Sequence, residues 1–133
     1  TIVTYGANVQ IALTAAQELA KQNIELEVID VQTLLPFDVD SIIRKSLIKT
    51  NAVIFFDEDV SGGSTGFMMQ QVLEKQEGYE YLDAPPRTLH AQDHRAAYGS
   101  DGDYFSKPNT NDVFEEAYKL MNESNPNKYP DIL

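Results

Sequence analysis

Apolar positions recur along this chain with two alternating periods. Short runs of β-branched and aromatic residues at 2–5, 26–31, 53–56 and 87–91 each stop at a polar or glycine-containing turn, the pattern of strands buried in a parallel sheet. Between them, apolar residues repeat every three to four positions, the period of an amphipathic helix. In the first such segment Val9, Ala12, Leu13, Ala16, Leu19 and Ala20 share one face, Asn8 is placed to cap, and Asn23 is placed as a left-handed stop. In the second, Pro36 resets the backbone, Asp38 opens the helix, and Val39, Ile42, Ile43 and Leu47 form the buried stripe. Phe37 and Ile42 there have the spacing of a hydrophobic staple. Gly62, Gly63 and Gly66 lead into a third helix with Phe67, Met68, Val72 and Leu73 as core and Gly78 weakening its end. After an extended connector at Asp83-Ala84-Pro85-Pro86 and a polar loop over 92–109, a last helix over 112–122 aligns Val113, Phe114, Ala117, Leu120 and Met121. The domain is expected to cover 1–124, with 125–133 as a loose C-terminal tail.

Four strand–helix alternations predict an α/β fold: three layers, α/β/α, around a parallel sheet. Several strand orders satisfy the handedness rules. The common small one, 2-1-3-4, buries Val3, Val28, Ile54 and Phe55. It also reverses chain direction between strands 1 and 3, which opens a crevice beyond Tyr5-Gly6-Ala7 and Asp57-Glu58.

The chain has 133 residues, 42% of them hydrophobic, which suits one domain with one core. It has no apolar run approaching the roughly 20 residues of a membrane helix and no signal-peptide pattern. It starts at Thr1 inside a strand pattern, so it is expected to be a piece of a longer protein. The absence of cysteine excludes disulfides, thiolate nucleophiles and cysteine-ligated metals. A net charge of −11 repels phosphate backbones and anionic membranes, so neither nucleic acid nor membrane is an expected partner. The same charge attracts a basic protein or simply aids solubility; both remain open.

Candidate chemistry is sparse. The loop Gly62-Gly63-Ser64-Thr65-Gly66 enters a helix and could present N–H groups to an anion, but it lacks the lysine of a phosphate-binding loop. Gly6-Ala7-Asn8 lacks the later glycines of a dinucleotide fingerprint, and Asp57-Glu58-Asp59 repels phosphate without offering calcium-loop spacing. His90, Asp93, His94 and Arg95 could contribute to a zinc site, but the preferred reading is that His90 packs or hydrogen-bonds locally and Asp93–Arg95 organises the long loop. No serine stands in a nucleophile motif. No catalytic, cofactor-binding or metal-ligating residue is expected in this chain.

Several segments, taken in order, resemble the C-terminal domain of the beta subunit of 2-oxo acid dehydrogenases, in the transketolase superfamily. Thr4-Tyr5-Gly6 is similar to that family's strand-ending T-Y-G. Ile29-Asp30-Val31-Gln32-Thr33-Leu34, with Pro36 and Asp38, is similar to its I-D-L-R-T-L-x-P-x-D, with Gln32 in place of the arginine. Asp57-Glu58 with Gly63 and Gly66, Leu82-Asp83-Ala84-Pro85, Asp93 with Tyr98, and Pro108 complete the series. The stretch from Gly99 to Phe105 departs from the family pattern.

The resemblance implies a mixed sheet with an extra antiparallel edge strand, which this chain lacks. It implies a full enzyme that uses thiamine diphosphate and magnesium, bound outside this domain. That enzyme oxidatively decarboxylates a 2-oxo acid, with 2-oxoisovalerate expected ahead of pyruvate, and passes the acyl group to a lipoyl arm. The isolated domain is expected to be inactive and to serve assembly. Its implied partners are other domains or subunits of the same dehydrogenase, a further copy of itself, and the basic subunit-binding domain of the acyltransferase. Asp83 is the expected docking residue for that basic domain, with capping of a turn before Pro85 as the equal alternative. An interface cut from a larger protein leaves exposed apolar surface, and Tyr98, Tyr104 and Phe105 are the expected assembly face. The compartment implied is the bacterial cytoplasm, or the mitochondrial matrix in a eukaryote. The alternative is a free-standing α/β module that binds a small ligand in the crevice at the ends of strands 1 and 3.

Overall fold

The computed structural model describes residues 1–91 and 107–132. Strand β1 (Ile2–Thr4) has no exposed residue, as a strand requires when helices cover both faces of its sheet. It lies between β2 (Val28–Asp30) and β3 (Ile54–Phe56), and β4 (Arg87–Leu89) flanks β3. All three pairings are parallel, with Val3 level with Ile29 and Phe55, and Phe55 level with Thr88. The order is the expected 2-1-3-4.

Alternation along the strands sends successive side chains to opposite layers. Ile2, Ile54 and Phe56 pack against α1 (Asn8–Ala20) and α4 (Thr110–Ser124) through Ala12, Ala15, Leu19, Val113, Ala117 and Leu120. Val3 and Phe55 face α2 (Ile42–Thr50) and α3 (Ser64–Met69), meeting Ile43, Leu47, Met68 and Val72. Helix α3 widens into π-type turns over Gln70–Lys75, and a 3-10 turn follows at Gly78–Tyr81. Gly78 has a packing reason beyond ending the helix: a Cβ there would lie 2.9 Å from the Val72 carbonyl oxygen and 3.0 Å from Leu47 Cδ1. Across the sheet's other edge, Arg87 bridges β4 to α4 through Glu116 at 2.9 Å and Glu123 at 2.5 Å. Among the described residues no helix is long and apolar enough to cross a membrane.

Several local expectations change. Val28 is only half-buried, because β2 is an edge strand. Asn23 does end α1 in the left-handed region, with φ 61°. Asn8 does not cap α1; it is the first helical residue, and its side chain turns to Asp57 instead. Asp38 accepts from the backbone N–H of Ile42 and Ile43, at 3.0 Å each, but from outside the helix, since an extra turn intervenes. That turn swings Val39 and Ile42 out of the core to 76% and 51% exposure. No staple forms; Phe37 packs edge-on against Phe67, with ring centres 5.9 Å apart. Helix α4 starts early, at Thr110, because Asn109 and Asp112 form a reciprocal capping box at 3.1 and 2.8 Å.

The tail is also corrected. Tyr129 is 6% exposed and belongs to the core cluster of α1 and α4. Its carbonyl accepts from Asn122 Nδ2 at 2.8 Å, and the Tyr118 hydroxyl donates to the Pro130 carbonyl at 2.6 Å. An aromatic ring buries enough apolar surface to hold an otherwise coil-like segment, so the end of the chain is docked through at least Pro130.

Candidate functional site

The chain reversal between β1 and β3 opens a crevice of about 440 Å³ lined by residues 5–8 and 57–59 with Lys107. Gly6 makes the turn out of β1 at φ +64°, a conformation open to glycine at little cost. Parallel register brings the polar residue after β1 beside the polar residue after β3. Asp57, 2% exposed, is the centre of what results. Ser64 Oγ donates to Asp57 Oδ2 at 2.5 Å. The Tyr5 hydroxyl lies 3.1 Å from that oxygen and 2.7 Å from Ser64 Oγ, with one proton to share between them. Asn8 Nδ2 approaches Asp57 Oδ1 at 3.5 Å.

The network ties the ends of β1 and β3 to the first turn of α3. Among the described residues no imidazole stands beside Ser64 to take its proton; the carboxylate it faces only accepts from it. His90 bonds locally, with Nδ1 2.8 Å from the Ala91 carbonyl oxygen. Asp93, His94 and Arg95 lie outside the described residues, as do Tyr98, Tyr104 and Phe105. Among the described residues no group of three or more His, Cys, Asp or Glu could hold a metal. Nor does the crevice suit thiamine diphosphate: three consecutive carboxylates, Asp57, Glu58 and Asp59, line it and would oppose a diphosphate.

Burial raises the Tyr5 phenol above its ordinary pKa of 10.0, and the nearby charges of Asp57 and Asp59 act in the same direction. In the unfolded chain the phenol ionises first. Its contribution is therefore whole below about pH 10 and is lost as pH rises through the folded pKa. Urea unfolding between pH 8 and 11 should show the wild type losing stability more steeply than Tyr5→Phe above pH 10. Parallel profiles would mean that Tyr5 is no more buried against ionisation than in the open chain.

Asp83 stands apart from the crevice, just after the Gly78–Tyr81 turn. Its N–H donates to the Asn51 carbonyl at 2.8 Å. Its side chain is exposed and has no partner among the described residues, so it caps no turn. The sequence singled out Asp57, Asp83 and the Tyr5 turn separately. It did not join Asn8, Tyr5, Asp57 and Ser64; the available signal was polar residues at the ends of two strands that pair in parallel.

Residues 1–107 match the family described as transketolase, C-terminal domain. Over 120 residues the chain is 34% identical to the pyruvate dehydrogenase E1 component subunit beta of Rickettsia felis, covering 90% of this chain and 36% of that protein. It is 32% identical over 123 residues to the mitochondrial E1 beta subunit of Saccharomyces cerevisiae, covering 91% and 33%. The chain thus spans about a third of the length of these curated relatives. Among solved structures it resembles a split gene transketolase, inactive beta4 tetramer, with TM-score 0.64 and 25% identity over 90% of this chain and 37% of that one. With the matched family model spanning both the sheet and the crevice, this chain belongs to the transketolase C-terminal domain family.

Proposed function

We propose that this domain is the assembly and docking part of a thiamine-diphosphate-dependent 2-oxo acid dehydrogenase, an oxidoreductase that decarboxylates a 2-oxo acid and hands the acyl group to a lipoyl arm. The alignment of nine-tenths of the chain with pyruvate dehydrogenase E1 beta subunits carries the proposal. Those names favour pyruvate over 2-oxoisovalerate as the substrate of the whole enzyme. Thiamine diphosphate and magnesium would bind in parts of that enzyme beyond this domain, in a bacterial cytoplasm or a mitochondrial matrix. The tetrameric assembly of the structural neighbour supports a further copy of the chain among the partners. The competing role, a small-ligand module, rests on the crevice alone, and there Asp57, Tyr5 and Ser64 are already committed to one another.

Within this role Asp83 docks the basic subunit-binding domain of the acyltransferase. Its carboxylate has no partner among the described residues, its backbone is pinned to Asn51, and Pro85 and Pro86 hold the following segment extended. An arginine of the partner would form a charge-assisted pair there. Asp83→Asn in the full enzyme should weaken binding of the partner domain about fivefold to tenfold at low salt, with the gap closing at high salt. Unchanged affinity and an unchanged salt slope would remove Asp83 from the interface. For the competing role, a thermal-shift screen of the chain with nucleotides and small anions is expected to give no stabilisation; a saturable shift would favour the ligand-binding module.

A further inference from the structure

At the edge of the sheet where the strands begin, a recess of about 520 Å³ opens between α4 and the connection from α1 to β2. Ile24, Leu26, Ile54, Ala117, Leu120 and Met121 give it an apolar wall, and all six belong to the core cluster of α1 and α4 or pack against it. The rest of the lining is Ala52 and the polar residues Thr1, Glu25, Glu27, Lys49 and Thr50. Most of these polar groups are engaged with one another. Lys49 Nζ donates to Glu27 Oε2 at 2.7 Å. Thr1 Oγ1 lies 2.6 Å from both Ser46 Oγ and Thr50 Oγ1 of α2. Glu25 is exposed. The recess is thus an outlying part of the core that opens at the sheet's edge.

The upstream end of β1 points at this recess. Thr1 already pairs as a strand residue: its nitrogen donates to the Ala52 carbonyl at 3.0 Å, and its carbonyl accepts from the Ile54 N–H at 2.9 Å. On the other side the Ile2 N–H donates to the Glu27 carbonyl at 2.9 Å. These are the slanted bonds of a parallel ladder. Side chains alternate along it. Thr1 and Val3 face α2, whereas Ile2 faces α1 and α4. A residue one position upstream of Thr1, in the same ladder, shares the face of Ile2. Ile2 is level with Val28 and Ile54. Two positions before those neighbours stand Leu26 and Ala52, and both line the recess. Alternation and register therefore aim the same upstream side chain into an apolar space large enough for isoleucine or leucine.

We propose that this recess is the socket for the segment that leads into the domain in the whole subunit. That segment extends β1 upstream, and the side chain next to Thr1 is apolar and packs among Leu26, Ile54, Leu120 and Met121. This rests on the reading of the chain as part of a longer dehydrogenase subunit, and it gives the assembly role a mechanical basis. Domain boundaries ordinarily fall in flexible linkers. Here the chain enters as a paired strand with a buried side chain, so the domain is held at a fixed angle to the part that precedes it. An acidic or small side chain at that position would leave the socket unfilled and the boundary free to hinge.

Two extended chains of equal composition test it, one with Ser-Ile and the other with Ile-Ser placed before Thr1. Both move the terminal ammonium away from the buried Thr1, and both share nearly the same unfolded state, so their difference isolates the position of one side chain. The Ser-Ile chain should melt about 4–8 °C above the Ile-Ser chain by circular dichroism, the effect of burying one aliphatic side chain in a domain of this size. In its NMR spectra the methyl groups of the added isoleucine should show nuclear Overhauser contacts to Leu26 and Met121; the isoleucine of the Ile-Ser chain should show none. Equal melting temperatures overturn the proposal, and so does an added isoleucine that touches neither Leu26 nor Met121. Equal melts together with weakened partner docking in Asp83→Asn would overturn the socket and leave the docking role standing. A stabilising Ser-Ile extension without any Asp83 effect would do the reverse.

Discussion

Phe55→Ala is expected to lower the free energy of unfolding by about 3–5 kcal/mol. Phe55 is 0% exposed, in the strand that pairs with both β1 and β4. It fills the layer between the sheet and α2–α3, among Val3, Ile43, Leu47, Met68 and Val72. Those neighbours cannot close the gap easily. Val3 is fixed by strand pairing, and the α2 side of the layer is held by the Asp38 cap and the close approach of Gly78 to Leu47. The lost transfer energy is therefore joined by a cavity term. Against a typical total of about 5–15 kcal/mol, the variant should sit near the edge of folding. Urea unfolding followed by circular dichroism measures it, with the slope unchanged if both states keep their character. Ile42→Ala, on the same helix layer but half-exposed, should cost less than about 1 kcal/mol. Equal losses at the two positions would contradict the assignment of Phe55 to the core and Ile42 to the surface.

The contrast between those residues also marks what the sequence made legible. Phe55 belongs to a run, Val53 to Phe56, that is apolar on both faces; only a central strand between two helical layers uses such a run, so strand identity, sheet order and burial followed together. Ile42 stands at helical spacing from Val39, three positions before it, and spacing alone cannot tell where a helix begins. The start is delayed by left-handed residues at Asp38, φ 39°, and Ser41, φ 52°; neither is glycine, so composition gives no sign of them. Asn8 illustrates a different limit. Its capping propensity is local, and a carboxylate 49 positions away outcompetes it. Tyr129 follows an Asn-Pro-Asn stretch that reads as coil, and the space it fills exists only after α1 and α4 have packed. The crevice network has the same origin. Tyr5, Asp57 and Ser64 form no motif in sequence; they meet because two strands pair in parallel and a glycine-rich loop returns to their ends.

Asp57→Ala should cost about 2–4 kcal/mol, net of the desolvation that the buried carboxylate itself imposes. The substitution removes the acceptor for Ser64 and Tyr5 at one oxygen and for Asn8 at the other. Ser64 and Tyr5 retain each other, 2.7 Å apart, but Asn8 is 4% exposed, and its amide is left with neither protein acceptor nor ready access to water. Asp57→Asn separates charge from geometry. Its carbonyl oxygen can still face Ser64 and Tyr5, while its amide meets Asn8, which must turn its own oxygen inward. That exchange keeps the bonds and loses the charge assistance, so the loss should be smaller, about 1–2 kcal/mol. Because the network fastens the glycine loop to the sheet, the two variants should also differ locally: amide exchange over residues 63–68 should accelerate in Asp57→Ala beyond what global destabilisation explains, and much less so in Asp57→Asn. Urea unfolding and hydrogen exchange on the same samples give both numbers. If Asp57→Asn costs as much as Asp57→Ala, the charge rather than the bonding geometry organises this end of the sheet. If neither alters exchange at 63–68, Asp57 is only a tolerated buried acid, and the loop is held by its contacts with β3 alone.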